Sequence, residues 1–229
     1  MCLAVNLFNL RFMERLVFIV EGDCEIKFVN RRIIPYLYSF VKNGSCVQMN
    51  AQKVTTNRRL NIGGGNVGFE YFNNEVSRVC AQGLPWITTF FDFFRIPADF
   101  PGYTTDSTKI NNIEAALEKK INYSRFIPYI QRHEFEALMF AVPDCFNRLI
   151  LREEQVNQIK EISNSYHNVE DIDGGPMTAP SKRLESIFKY EKRPHSEMIL
   201  EDVSLDVIMR RAPRFKAWIE SLVSLVSSF

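Results

Sequence analysis

The chain has 229 residues, 46% of them apolar, and a formal net charge of +1. That length and apolar content supply a sizeable core and exclude a globally disordered chain. The near-zero charge excludes a global electrostatic drive toward nucleic acid or an anionic membrane and leaves only local patches.

Five cysteines, Cys2, Cys24, Cys46, Cys80 and Cys145, are scattered and form no CxxC pair. This argues against a disulfide framework or a zinc site and fits a reducing, cytoplasmic setting. No apolar run approaches the ~20 residues needed to span a bilayer, so no membrane association is expected. Residues 1–12, MCLAVNLFNLRF, lack the basic start and cleavage pattern of a signal peptide. They are expected to form a peripheral extension, with Met13 as an alternative start, because patterning begins at Glu14.

Leu16 to Val20 is an unbroken apolar run rich in β-branched residues. It predicts a short strand buried on both faces, as in a parallel sheet. Glu21 follows directly. Gly22 permits a tight turn there, Asp23 is a candidate cap, and Glu25 falls in the first turn of the next helix. Cys24 to Val41 has helical apolar spacing that Pro35 should kink or interrupt, and Asn43-Gly44 ends it. Residues 46–54 read as a second strand. The loop after it carries Gly63-Gly64-Gly65, which lacks the Lys-Ser/Thr of a P-loop, with Arg58 and Arg59 as candidate phosphate contacts. A helix is predicted over 69–81.

Residues 85–94, PWITTFFDFF, predict a third buried strand with Asp92 in its far end. A loop with an ordered FPGY tip leads to a helix over 109–120 with Ile110, Ile113 and Leu117 inward. Residues 125–130 predict a fourth strand, made irregular or peripheral by Pro128. It feeds QRHEFEALMF. If Glu134 starts a helix, His133 and Glu136 share a face. If the strand continues, Glu134 and Glu136 do. From Pro143 onward the pattern is helical over 144–150, 153–165, 180–190 and 212–224, with a turn-rich break at 171–176. Thr178 and Ser181 are candidate N-caps before Lys182 and Arg183, which could meet phosphate at a helix N-terminus.

Three predicted strand ends thus deliver Glu21 with Glu25, Asp92, and Glu134 with Glu136. Parallel strands bring their carboxyl ends to one edge, where ligands bind in open α/β sheets. Clustered carboxylates repel unless a cation lies between them. All-oxygen ligands suit Mg²⁺, Mn²⁺ or Ca²⁺ rather than Zn²⁺, and such ions position phosphoryl oxygens and activate water. The competing reading has some of these acids facing away in surface ion pairs.

VEGDCE, the acid in TTFFDFF, RFIPYIQRHEFEALMF, DGGPMTAPSKRL and RAPRFKAWI together resemble a bacterial family, domain of unknown function 4276. The resemblance runs from about Glu14 to Trp218. It implies a Toprim-like fold, distantly similar to that of overcoming-lysogenization-defect nucleases. It also implies Mg²⁺ (or Mn²⁺), an AAA or ABC-type ATPase partner, nucleic acid as substrate, and a setting in defence against phage or plasmids. By position, Glu21 matches the first-strand Toprim Glu, Glu25 its second acid, and Asp92 the first Asp of the DxD motif. Phe94 stands where the second Asp would be, so Glu134 or Glu136 would supply the missing ligand, and His133 a base or phosphate contact.

The expectation is therefore a Toprim/Rossmann-like, mainly parallel α/β domain over 13–142, with a helical region over 143–229 packed on it. Its function would be that of a Mg²⁺-dependent phosphodiesterase or nuclease. Catalysis would rest on Glu21, Asp92, Glu136 and His133, and metal binding on Glu21, Glu25, Asp92, Glu134 and Glu136. The alternative is a non-catalytic, partner-binding subunit that keeps the fold.

Overall fold

A computed structural model describes residues 13–57, 62–63, 67–94, 96–172 and 175–229. The expectations placed on residues 1–12 and on Arg58 and Arg59 lie outside the described residues.

The apolar run forms strand β1 (Glu14–Val20) at the centre of a five-stranded sheet. Its neighbours are β2 (Val47–Lys53) and β5 (Trp86–Asp92), both parallel to it. β5 also pairs in parallel with two short strands, β6 (Phe126–Ile127) and β7 (Ile130–Gln131). Pro128 lies in the gap between them, and the predicted fourth strand is split there because proline cannot donate to the ladder. Thr89 bridges the interruption, its hydroxyl donating to the Tyr129 carbonyl and accepting from the Tyr129 N–H, each at 2.8 Å. A separate antiparallel pair, β3 (Thr55–Asn57) and β4 (Ile62–Gly63), follows β2.

β1 is apolar throughout because both of its faces are covered. Leu16, Phe18 and Val20 enter one core and Val17 and Ile19 the other. Helices α3 (Phe69–Cys80) and α4 (Ile110–Ile121) cover the second face through Phe72, Val76, Ile113 and Leu117. The first face is covered by the helical stretch after β1 and by the C-terminal helices, which join one continuous core with the sheet. The stretch after β1 runs as α1 (Asp23–Phe28), a π-turn (Val29–Ile33) and α2 (Ile34–Tyr38). The interruption expected at Pro35 is this π-turn, which lies immediately before the proline's segment.

The C-terminal helices are α5 (Glu153–Asn164), α6 (Pro180–Ile187), α7 (Lys192–Leu200), α8 (Leu205–Met209) and α9 (Pro213–Ser228). Residues Phe135–Ala141 and Pro143–Arg148 are 3₁₀ turns. The helix expected over 144–150 is thus a 3₁₀ segment, and the one expected to reach residue 190 ends at Ile187, where Phe188 turns extended.

Several helices start without a local side-chain cap and take a carboxylate from elsewhere. Asp99 accepts from the Phe69 N–H of α3 at 2.8 Å, and Glu170 accepts from the Arg214 and Phe215 N–H groups of α9 at 2.7 and 3.2 Å. Unpaired N–H groups and the positive end of the helix dipole favour such partners.

The two regions lock through Trp218 of α9. Its indole stacks on Tyr129 at 4.3 Å and Phe90 at 5.4 Å, and its Nε1–H donates to the Thr88 hydroxyl at 2.9 Å. Trp218→Ala should destabilise the fold by about 3–5 kcal/mol, as for other buried aromatics. Trp218→Phe keeps a ring and forfeits chiefly the hydrogen bond, at about 1 kcal/mol. Urea denaturation measures both. Equal, small losses would show that the stack does not join the helical region to the sheet.

Candidate functional site

The carboxyl edge of the sheet holds a pocket of about 290 Å³. Glu21, Asp92, Phe94, Glu134, Glu136, Ser181, Lys182, Glu185, Tyr190 and Lys192 line it. Parallel strand ends place the first acids: Glu21 follows β1 and Asp92 ends β5. The chain then leaves β7 through His133, whose φ of 64° turns it sharply, a conformation that histidine adopts more readily than most residues. Glu134 is the residue before the 3₁₀ turn and Glu136 lies in its first turn, so the segment is neither the α-helix nor the continued strand that the sequence allowed. Both glutamates nonetheless reach the same pocket.

Lys192 stands at the centre. Its ammonium lies 3.1 Å from Glu25 Oε1, 3.4 Å from Asp92 Oδ2 and 3.5 Å from Glu136 Oε2. Lys192 opens α7, a helix absent from the sequence-based expectation, and Tyr190 just before it donates to Glu136 Oε1 at 3.3 Å. Glu25 folds back beneath this cluster because residue 22 is glycine: a Cβ there would stand 2.6 Å from Glu25 Oε2. Gly22 is itself extended, with φ −136°, so its role is space rather than turn geometry. Asp23 makes no capping hydrogen bond and instead pairs with Lys53, at 2.5 Å, and Arg193.

The remaining predicted residues have structural partners. Glu134 accepts from the Ser181 N–H at 2.8 Å and the Ser181 hydroxyl at 3.0 Å, so it already fills the anion position at the start of α6. Lys182 lines the pocket and pairs with Glu185 at 2.5 Å. Arg183 donates to the Thr178 carbonyl at 2.8 Å and lies over the Tyr166 ring, outside the pocket lining. His133 is buried and does not line the pocket. Phe94 does, and its N–H donates to the His133 carbonyl at 2.8 Å.

Burial pushes the Asp92 carboxyl well above the ordinary range. Lys192 offsets part of this, while Glu25, Glu136 and Glu21 add to it. Burial likewise raises Glu136, with Lys192 opposing and Glu134 and Glu25 adding. Burial also works against the charge on Lys192, but Asp92, Glu136 and Glu25 outweigh it and hold its pKa well above that of a free lysine. Lys192 therefore keeps its proton beside Glu25, Asp92 and Glu136. Glu136 Oε2 is buried, 3.5 Å from the Lys192 ammonium, and makes no hydrogen bond among the described residues.

The donor set is that of a hard divalent cation, and a buried acceptor without a hydrogen bond is the kind of atom such an ion satisfies. The spacing, however, is that of an ammonium. Among the described residues, no group of three or more His, Cys, Asp or Glu is gathered closely enough to hold an ion as they stand. The acids match a divalent cation in donor chemistry but not in their present spacing.

Asp92→Asn tests the electrostatics. Asp92 and Glu136 hold protons to higher pH in the folded chain than in the unfolded one. From about pH 4 upward, through the raised values, the native state binds more protons, so these groups lower stability as pH rises. The variant keeps the Oδ1 acceptor for the Phe135 N–H, which Asp92 holds at 2.7 Å, and removes one such proton site. In metal-free buffer its urea midpoint should fall less than that of the wild type between about pH 4 and pH 7. Parallel profiles would contradict the burial of an uncompensated charge.

No curated protein and no solved structure shows a significant match to this chain. The family model described as Domain of unknown function (DUF4276) matches residues 20–223, a span that includes Glu21, Glu25, Asp92, Glu134, Glu136 and Lys192. The chain therefore belongs to the domain of unknown function 4276 family.

Proposed function

We propose that the pocket binds a divalent cation, Mg²⁺ or Mn²⁺, and that the protein is a metal-dependent phosphodiesterase acting on nucleic acid. The observation that carries this reading is the convergence of Glu25, Asp92 and Glu136 on a single ammonium, with one buried carboxyl oxygen that has no hydrogen bond among the described residues. Glu25, Asp92 and Glu136 would hold the ion, with Glu21 at the pocket wall. When bound, such an ion polarises a phosphoryl oxygen and favours attack by water.

The chain's own groups prepare the site. Asp92 is oriented by the Phe135 N–H and Glu136 by the Tyr190 hydroxyl. Lys182 and Lys192 line the pocket and would supply the positive charge that meets a phosphate there. Phe94 supplies an aromatic part of the pocket lining. The resemblance to Toprim nucleases at Glu21, Glu25 and Asp92 points the same way. A net charge of +1 gives the isolated chain little general affinity for a polyanion. An ATPase partner would supply that affinity, in a cytoplasmic role such as defence against mobile elements. No helix among the described residues is long and apolar enough to cross a membrane.

A second reading has its own support. Lys192 already neutralises part of the cluster, and Phe94 stands where a Toprim site has an acid. On that reading the acids form a permanent internal ion-pair network in a non-catalytic, partner-binding subunit.

Glu136→Gln separates the two. Saturating Mn²⁺, at a hundredfold excess over Kd, should raise the wild-type melting temperature by about 5–10 °C. The variant should fold at least as stably without metal and lose most of that response, together with any Mn²⁺-dependent nicking of plasmid DNA. Equal metal responses in the two proteins would favour the ion-pair network and the binding subunit.

A further inference from the structure

We propose that Lys192 is a built-in placeholder for the cation: its ammonium fills the position among Glu25, Asp92 and Glu136 and has to leave before a divalent ion can enter. This inference rests on the metal-site reading and deepens it by assigning the residue that sets metal affinity.

The geometry shows which partner can move. Lys192 is the partner with the most room to move: its side chain is 41% exposed, against 5% for Glu25, 12% for Asp92 and 2% for Glu136. Asp92 is held by the Phe135 N–H, Glu136 by Tyr190, and Glu25 is packed against Gly22. The lysine reaches inward on a flexible stem whose flank faces solvent, so the ammonium can swing out without unpacking the core. Its backbone lies at the first position of α7, the helix end where the dipole disfavours a cation.

Charge makes the two occupants exclusive. An ammonium within 3.1 to 3.5 Å of each carboxylate occupies the volume that a shared ion would need. At such separations two cations repel strongly. The coupling between Lys192 and the metal is therefore negative and reciprocal.

Mn²⁺ binding, followed by the electron paramagnetic resonance signal of the free ion, tests this on wild type, Lys192→Met and Lys192→Arg. Lys192→Met should bind Mn²⁺ about tenfold more tightly than wild type, or better, and melt at a lower temperature without metal. Lys192→Arg keeps the competing charge and should bind no more tightly than wild type. If wild type binds Mn²⁺ and Lys192→Met binds equally or more weakly, the placeholder role is wrong while the metal site stands. If none of the three binds Mn²⁺, the metal site itself is wrong and the inference falls with it. Should Lys192→Met fail to fold without metal, circular dichroism during Mn²⁺ addition decides. Recovery of helix signal supports exchange of one cation for another, and a chain that stays unfolded overturns it.

Discussion

Three buried carboxylates at the carboxyl edge of a parallel sheet converge on one ammonium. Removing charge from water is expensive, and the attraction of a pair repays it only when the geometry is good and further hydrogen bonds satisfy the remaining atoms. Here three acidic groups share one ammonium, and one oxygen has no hydrogen bond among the described residues. The groups come from four places in the chain: the first turn after β1, the end of β5, the 3₁₀ turn after β7, and the start of α7. The C-terminal helices therefore do more than cover an apolar face. They deliver the cation that makes the acidic edge of the sheet tolerable.

A second use of acids runs through the same fold. Asp99, Glu134 and Glu170 lie at the N-terminal turns of α3, α6 and α9 and accept from their first free N–H groups. Asp92 does the same for the Phe135 N–H while turning its other oxygen toward Lys192. Glu134 belongs with the caps: both of its oxygens are engaged by Ser181. The acids near the strand ends thus divide into those that start helices and those that face the ammonium, with Asp92 in both roles.

The strand cores were legible because their residue types admit one reading. Glu14–Val20 and Trp86–Asp92 are apolar runs of strand length, and Ile110, Ile113 and Leu117 mark one helical face. The parallel order followed from the helices between strands, and it brought Glu21 and Asp92 to one edge. Lys192 was not legible. KRPHSEMIL carries charges and a proline in its first turn, so the period that marks a helix begins only at its far end. Nothing local says that a lysine 100 residues from Asp92 and 167 from Glu25 will meet both. Gly22 has the sequence signature of a turn residue, whereas the space it leaves for Glu25 depends on a rotamer that sequence does not encode. The choice between helix and strand at Glu134 stayed open because a 3₁₀ turn has a period between the two.

The most direct measurement is a crystal structure of the chain soaked in Mn²⁺, with data collected to locate manganese by its anomalous scattering. The account predicts a manganese peak among Glu25, Asp92 and Glu136, with the Lys192 ammonium displaced toward solvent. A map with no manganese there, and Lys192 still paired to all three carboxylates at saturating Mn²⁺, would contradict it.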